Sequence, residues 1–95
     1  MWHEYSKEKP TNEEHKYLIK EVKTGGALDG CVFFHICGYA NNLSKVDEFD
    51  FYGRTDGGFY KLDYDGYYSI DENKFKKLYW VDLTELNWKW SNGNV

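Results

Sequence analysis

Aromatic rings alternate with charged residues along this chain, and glycine-rich turns cut the alternation every few residues. Phe59 to Asp65 is the clearest stretch. In an extended strand Tyr60, Leu62 and Tyr64 fall on one face, and Phe59, Lys61, Asp63 and Asp65 on the other. A period of two suits a strand rather than a helix. The turns that cut the pattern, Thr55-Asp56-Gly57-Gly58 and Asp65-Gly66, carry hairpin chemistry. The rings are numerous: nine Tyr, six Phe and four Trp among 95 residues. One modest core, hiding roughly 60–65% of the unfolded surface, cannot take them all. Some Tyr and Trp are therefore expected at the surface, where such rings serve as contact residues.

The remaining segments follow the same reading. Met1 to Pro10 holds a short strand and then a break. Lys16 to Lys23 has an apolar centre that fits a strand or a short helix, and its length and the Gly25-Gly26 behind it favour the strand. Cys31 to Ala40 is the most apolar run and reads as a central strand covered on both faces. Val46 to Tyr52 alternates again, with Phe49 and Phe51 on one face and acids on the other. Ser69 is placed to cap a helical turn through Asp71, Glu72 and Asn73. Phe75 to Leu83 reads as the last strand, and Asn87 to Val95 as a polar tail around Trp88 and Trp90. The expected fold is mostly β or α+β, a single domain over residues 1–95. It is a small antiparallel sheet or partly open barrel of about five strands with little helix.

Charge excludes some functions. Acids outnumber Lys and Arg by 16 to 12, for a net charge of −4. Nonspecific binding to nucleic acid or membrane calls for a basic patch, so neither is expected. No stretch approaches the roughly 18 apolar residues of a membrane span. The N-terminus lacks the basic and apolar regions of a signal peptide. A cytoplasmic protein with reduced Cys31 and Cys37 is the simplest expectation.

Catalytic and metal motifs are weak. On a regular strand Cys31, Phe33, His35 and Cys37 share a face, but the two thiols stand roughly 20 Å apart at about 3.3 Å per residue. Zinc ligands must meet around one ion, so core thiols and a hydrogen-bonded histidine are the better reading. Cys–His catalysis needs a thiolate in an electropositive, partly exposed place, and this run is apolar among acids. None of Ser6, Ser44, Ser69 and Ser91 lies in a nucleophile elbow. Asp63-Tyr64-Asp65-Gly66 lacks the spacing of a calcium loop. No phosphate-binding glycine motif is present. Trp88-Lys89-Trp90 offers stacking rings but one cation, a poor nucleic-acid platform. No cofactor, metal or enzymatic activity is expected.

The acid and tyrosine cluster is the candidate site: Asp47, Glu48 and Asp50, with Tyr60, Asp63, Tyr64, Asp65, Tyr67 and Tyr68 on the following hairpin. If these segments meet, one surface combines rings with carboxylates. Tyrosine gives large contact area at low entropy cost. Carboxylates steer toward a basic partner and substitute for phosphates.

The two ends of the chain resemble a family known only as domain of unknown function 551, common in phages and prophages. Trp2, Pro10 eight positions on, and the hydrophobic Tyr17-Leu18-Ile19 fit its start. Trp80-Val81-Asp82-Leu83-Thr84-Glu85 is similar to its close. The family's Thr-His before that Trp is Leu78-Tyr79 here, and Asp82 and Thr84 stand where it carries prolines. The resemblance implies a small β-rich fold and a mobile-element origin, and brings no activity or site residues.

Together these readings point to a non-enzymatic phage or mobile-element accessory protein. It would bind and inhibit a host protein with a basic surface, in the manner of an anti-CRISPR. The alternative is a small-molecule binder such as a sponge for a nucleotide signal, with Arg54, the one arginine, as phosphate ligand. A hydrolase using His35 or His3 lacks a constellation, and a structural virion component would self-associate.

Overall fold

The computed structural model describes residues 1–73 and 75–86 of the chain. Six antiparallel strands form one open sheet in the order β1-β6-β2-β3-β4-β5. The strands are β1 (His3–Glu4), β2 (Tyr17–Lys23), β3 (Val32–Ala40), β4 (Gly58–Asp63), β5 (Gly66–Ile70) and β6 (Lys76–Asp82). The only described helical element is a 3-10 turn at Leu43–Lys45. From β2 to β5 each strand pairs with the next. The chain then crosses back, and β6 pairs with the free edge of β2 while β1 lies outside it.

Register places the core. Direct partners in an antiparallel ladder share a face. Tyr17 faces Cys37, Ile19 faces both His35 and Trp80, and Phe59 lies between Tyr39 and Ile70. These residues, with Tyr5 and Leu78, form the main cluster on one face of the sheet. The stretch from Tyr5 to Asn12 lies against that face. The Trp80 indole N–H donates to the Glu8 carbonyl at 2.7 Å, and the Tyr17 hydroxyl donates to the Asn12 carbonyl. On the opposite face Ala40, Leu43 and Phe51 make a smaller cluster, flanked by Val46, Tyr60 and Tyr67.

Several strand expectations hold in detail. Lys16 to Lys23 is a strand rather than a helix, and the facing of Phe59, Tyr60, Lys61 and Leu62 is as the alternation requires. Asp65-Gly66 closes a tight hairpin, in which Asp63 pairs with Gly66 across Tyr64 and Asp65. Gly66 has φ 119°, a value that disfavours any side chain.

Four expectations are corrected. Val46 to Tyr52 is a series of turns, not a strand. The Asp47 carboxylate accepts from the backbone N–H of Phe49 at 2.9 Å and of Asp50 at 3.0 Å. Such local bonds compete with a sheet ladder. Phe51 is consequently buried while Phe49 points to solvent. Thr55 to Gly58 is not a tight hairpin turn but the end of a long connection from Asn41 to Gly57. Gly57 is needed there by close approach, since a Cβ would lie 2.9 Å from the Tyr39 hydroxyl and 3.0 Å from the Ala40 carbonyl. Ser69 caps no helix. It lies in β5, and its hydroxyl donates to Asp71 at 2.9 Å. Lastly, β3 is central but only its second half is covered. Val32, Phe33, Phe34 and Ile36 are exposed, because the covering segments lie over the Cys37–Ala40 end.

This difference in cover sets the cost of losing each ring. Phe59→Ala is expected to lower stability by about 3–5 kcal/mol, as for a large buried ring. Phe34→Ala, on the open face, should cost under about 1 kcal/mol. Urea denaturation of the two variants checks the contrast.

Candidate functional site

The acidic connection and the β4–β5 hairpin do meet. The Asp50 carboxylate accepts from the Tyr67 backbone N–H at 2.9 Å. It also lies against Gly66, where an added Cβ would be 2.8 Å from its Oδ2. The residue with the unusual φ is thus also the one that admits the acid loop. Asp47 shapes that loop through its two backbone bonds, and Asp63 accepts from the Tyr64 N–H at 2.8 Å at the hairpin tip.

Around this junction three rings stand almost wholly in solvent: Phe49 at 90%, Tyr52 at 89% and Tyr64 at 93% exposure. Glu48, Asp50, Asp63 and Asp65 are exposed beside them. Among the described residues no ion pair neutralises Asp47, Glu48, Asp50, Asp63 or Asp65. Uncompensated carboxylates between bare rings make an acidic, aromatic end to the sheet.

Other members of the expected cluster sit differently. Tyr60 and Tyr67 are half-buried and pack on each other, with ring centroids 6.0 Å apart, and Tyr67 lies 6.4 Å from Phe51. They support the small cluster more than they face solvent. Tyr68 pairs with Lys61 and so points to the opposite face of the sheet from Tyr67. Phe49 and Tyr52 belong to the exposed end, although strand alternation assigns Phe49 to an apolar face.

Each described histidine is bonded to a carboxylate. His3 lies 2.9 Å from Glu8 and stacks on Trp80 at 4.4 Å, His15 lies 2.6 Å from Asp82, and His35 lies 2.8 Å from Glu21. The hydrogen-bonded His35 was expected from its place in β3. Its partner was not, although Glu21 does continue the inward series Tyr17, Ile19. Two lysines join this pair, Lys23 Nζ at 2.8 Å and Lys76 Nζ at 3.4 Å from the same Glu21 oxygen. Burial alone would push the Glu21 carboxyl up. The bonds from Lys23 and His35 and the charge of Lys76 outweigh it and hold the group at about 2. Asp82 shows the same balance: burial raises it, while His15 and Thr84 hold it below the usual carboxylate range.

The cysteines differ from one another. Cys37 is buried, and desolvation pushes its thiol up to about 12. Cys31, expected as a core thiol, is exposed at the end of the β2–β3 connection, where cover is absent. Among the described residues no group of three His, Cys, Asp or Glu side chains is arranged to hold a metal. The Arg54 guanidinium is occupied: Nε and Nη2 donate to Asp56 at 2.7 and 2.8 Å, and Asp71 lies 3.5 Å away. Trp88 and Trp90 lie outside the described residues. No helix among the described residues is long and apolar enough to cross a membrane. No family profile, curated protein or solved structure matches the chain.

Glu21 sets an acid limit. Its folded value lies below the ordinary 4.5, so its contribution is complete above pH 4.5 and is lost as pH falls toward 2. The loss is on the order of 3 kcal/mol, from about 1.4 kcal/mol per pKa unit. Glu21→Gln should be less stable than the parent at pH 7 and should lack this part of the acid decline, as read by denaturation at successive pH values. In a thiol titration of the folded protein Cys31 should react at once, and Cys37 only when denaturant opens the core.

Proposed function

We propose that this chain is a non-enzymatic accessory protein of a phage or other mobile element, acting in the bacterial cytoplasm. It binds a host protein through the acidic, aromatic end and covers a basic surface that otherwise receives nucleic acid. The observation that carries this reading is the Asp50–Tyr67 bond, which joins two acidic segments into one patch. Exposed Phe49, Tyr52 and Tyr64 supply contact area, and the carboxylates, which have no ion-pair partner among the described residues, supply charge complementary to lysine and arginine. The resemblance of the chain's ends to a phage family supports the setting. An anti-CRISPR-like inhibitor is the class that fits a small acidic protein with such a surface.

The nucleotide-sponge alternative built on Arg54 has less support, because that guanidinium is held by Asp56 and Asp71.

The test is capture from a bacterial host lysate by the tagged chain, eluted in a salt gradient. Charge attraction weakens as the screening length falls from about 10 Å at 0.1 M salt to about 3 Å at 1 M. A basic, nucleic-acid-binding protein should be retained and then released by moderate salt. The double variant Asp63→Lys, Asp65→Lys should fail to retain it. Retention indifferent both to salt and to the double variant contradicts the proposal.

A further inference from the structure

Half of β3 has a free edge. On one side it pairs with β2 from Val32 to Cys37, and on the other it pairs with β4 only from Gly38 to Ala40. Among the described residues no backbone is bonded to that second side from Val32 to Ile36. One hydrogen bond fixes which groups point there. The Lys23 N–H donates to the Cys31 carbonyl at 2.9 Å, so Cys31 turns its carbonyl toward β2. Successive residues of an antiparallel strand alternate, so Phe33 and His35 also address β2. The N–H and C=O groups of Val32, Phe34 and Ile36 address the free side. Such a row of donors and acceptors is a template for another strand.

Edge strands that only face water are blunted by charge, proline or a bulge. This one is not: Val32-Phe33-Phe34-His35-Ile36 contains no lysine, acid or proline. Val32, Phe34 and Ile36 are 46%, 60% and 54% exposed, and Trp2 lies beside Phe34 with ring centroids 6.4 Å apart. The opening is bounded at both ends. Beyond Ile36, β4 takes the edge, and a cleft of about 280 Å³ lined by Ile36, Gly38, Tyr60 and Leu62 lies where the two strands part. Before Val32 the chain turns away, and the Cys31 N–H donates to the Leu28 carbonyl at 2.9 Å.

We propose that this edge pairs with the same edge of a second copy of the chain, as antiparallel strands related by a two-fold axis at Phe34. That register uses all three residues whose backbone points outward: Phe34 meets Phe34, and Val32 meets Ile36 in both directions. Pairs of this kind exchange two bonds each, about six in all. Each copy supplies a strand of the length the other leaves open, so pairing stops where β4 begins. No carboxylate or ammonium group lies in the paired segments, so two chains of net charge −4 meet there without opposing charges. Phe34 on Phe34 and Val32 on Ile36 are instead apolar cross-strand pairs. Six bonds suit an interface of roughly 600–1,200 Å², at one bond per 100–200 Å². That is the small end of specific interfaces, so a dimer forming at micromolar concentrations is expected. The edge shares no residue with the acidic end, so the two proposals stand or fall separately.

Sedimentation velocity of the full chain at rising concentration tests it, with substitutions at Phe34. On the axis a charge meets its own copy, and like charges directly opposite repel. Phe34→Lys and Phe34→Glu should therefore each be monomeric. An equimolar mixture of the two should dimerise again, at least about tenfold more tightly than either alone. Phe34 is on the open face, and each variant's amide NMR spectrum reports that it is folded. Hydrogen exchange by NMR reads the register. In the concentrated parent the amides of Val32, Phe34 and Ile36 should exchange at least about tenfold more slowly than in Phe34→Lys, while those of Phe33 and His35, already turned to β2, change little. The proposal is overturned if the parent stays monomeric at millimolar concentration, if both Phe34 variants dimerise as well as the parent, or if the mixture gains nothing over either variant. A monomer whose β3 edge takes up an extended peptide of another protein also contradicts it.

Discussion

The sheet depends on Phe59. Strands β3 and β4 pair over only three residues, Gly38 to Ala40, so the backbone ladder there is short. Phe59 bridges the gap with its side chain. It is fully buried, and its ring lies 5.0 Å from Tyr5, 5.4 Å from Tyr39 and 6.0 Å from Tyr17. One side chain thereby ties β4 to the N-terminal segment, to β2 and to β3. Ring pairs of this kind add about 0.5–1.5 kcal/mol each beyond the area they bury. On the other face Tyr60 lies so close over Gly38 that a Cβ there would be 2.6 Å from its ring. The position of the β4–β5 hairpin, and so of the acidic end, follows from these contacts.

Charge is distributed unevenly over this frame. Several cations are engaged within the fold: Lys23 and Lys76 with Glu21, Arg54 with Asp56, Lys7 and Lys77 with Glu4. The acids of the 47–50 loop and the hairpin have no such partners among the described residues. The modest net charge therefore understates the local field at that end.

Much of this is legible in the sequence where structure is local. The period of two in Phe59 to Asp65 and the Asp-Gly signal locate the hairpin and set Asp63, Tyr64 and Asp65 at its tip. The grouping of Tyr67 with Tyr68 in one cluster does not survive the hairpin register, which sends them to opposite faces of the sheet. What is not legible depends on distant contacts. Val46 to Tyr52 has a strand pattern, but the Asp47 carboxylate offers nearer partners than any neighbouring strand. The first half of β3 is as apolar as a buried strand, yet cover depends on how far the 5–12 and 43–56 segments reach. Glu21 meets His35 and Lys76 only through the register of β2 with both β3 and β6. The Asp50–Tyr67 bond joins residues 17 positions apart and has no local signature.

The most direct measurement of the central claim is hydrogen exchange of the chain free and in complex with its captured partner, read by mass spectrometry. If the acidic, aromatic end is the binding surface, slowed exchange on binding will be confined to peptides covering residues 46–53 and 62–68. Unchanged exchange in those peptides, with new protection along the outer face of β3 at Val32 to Ile36, would contradict the account and move the interface to the open apolar face.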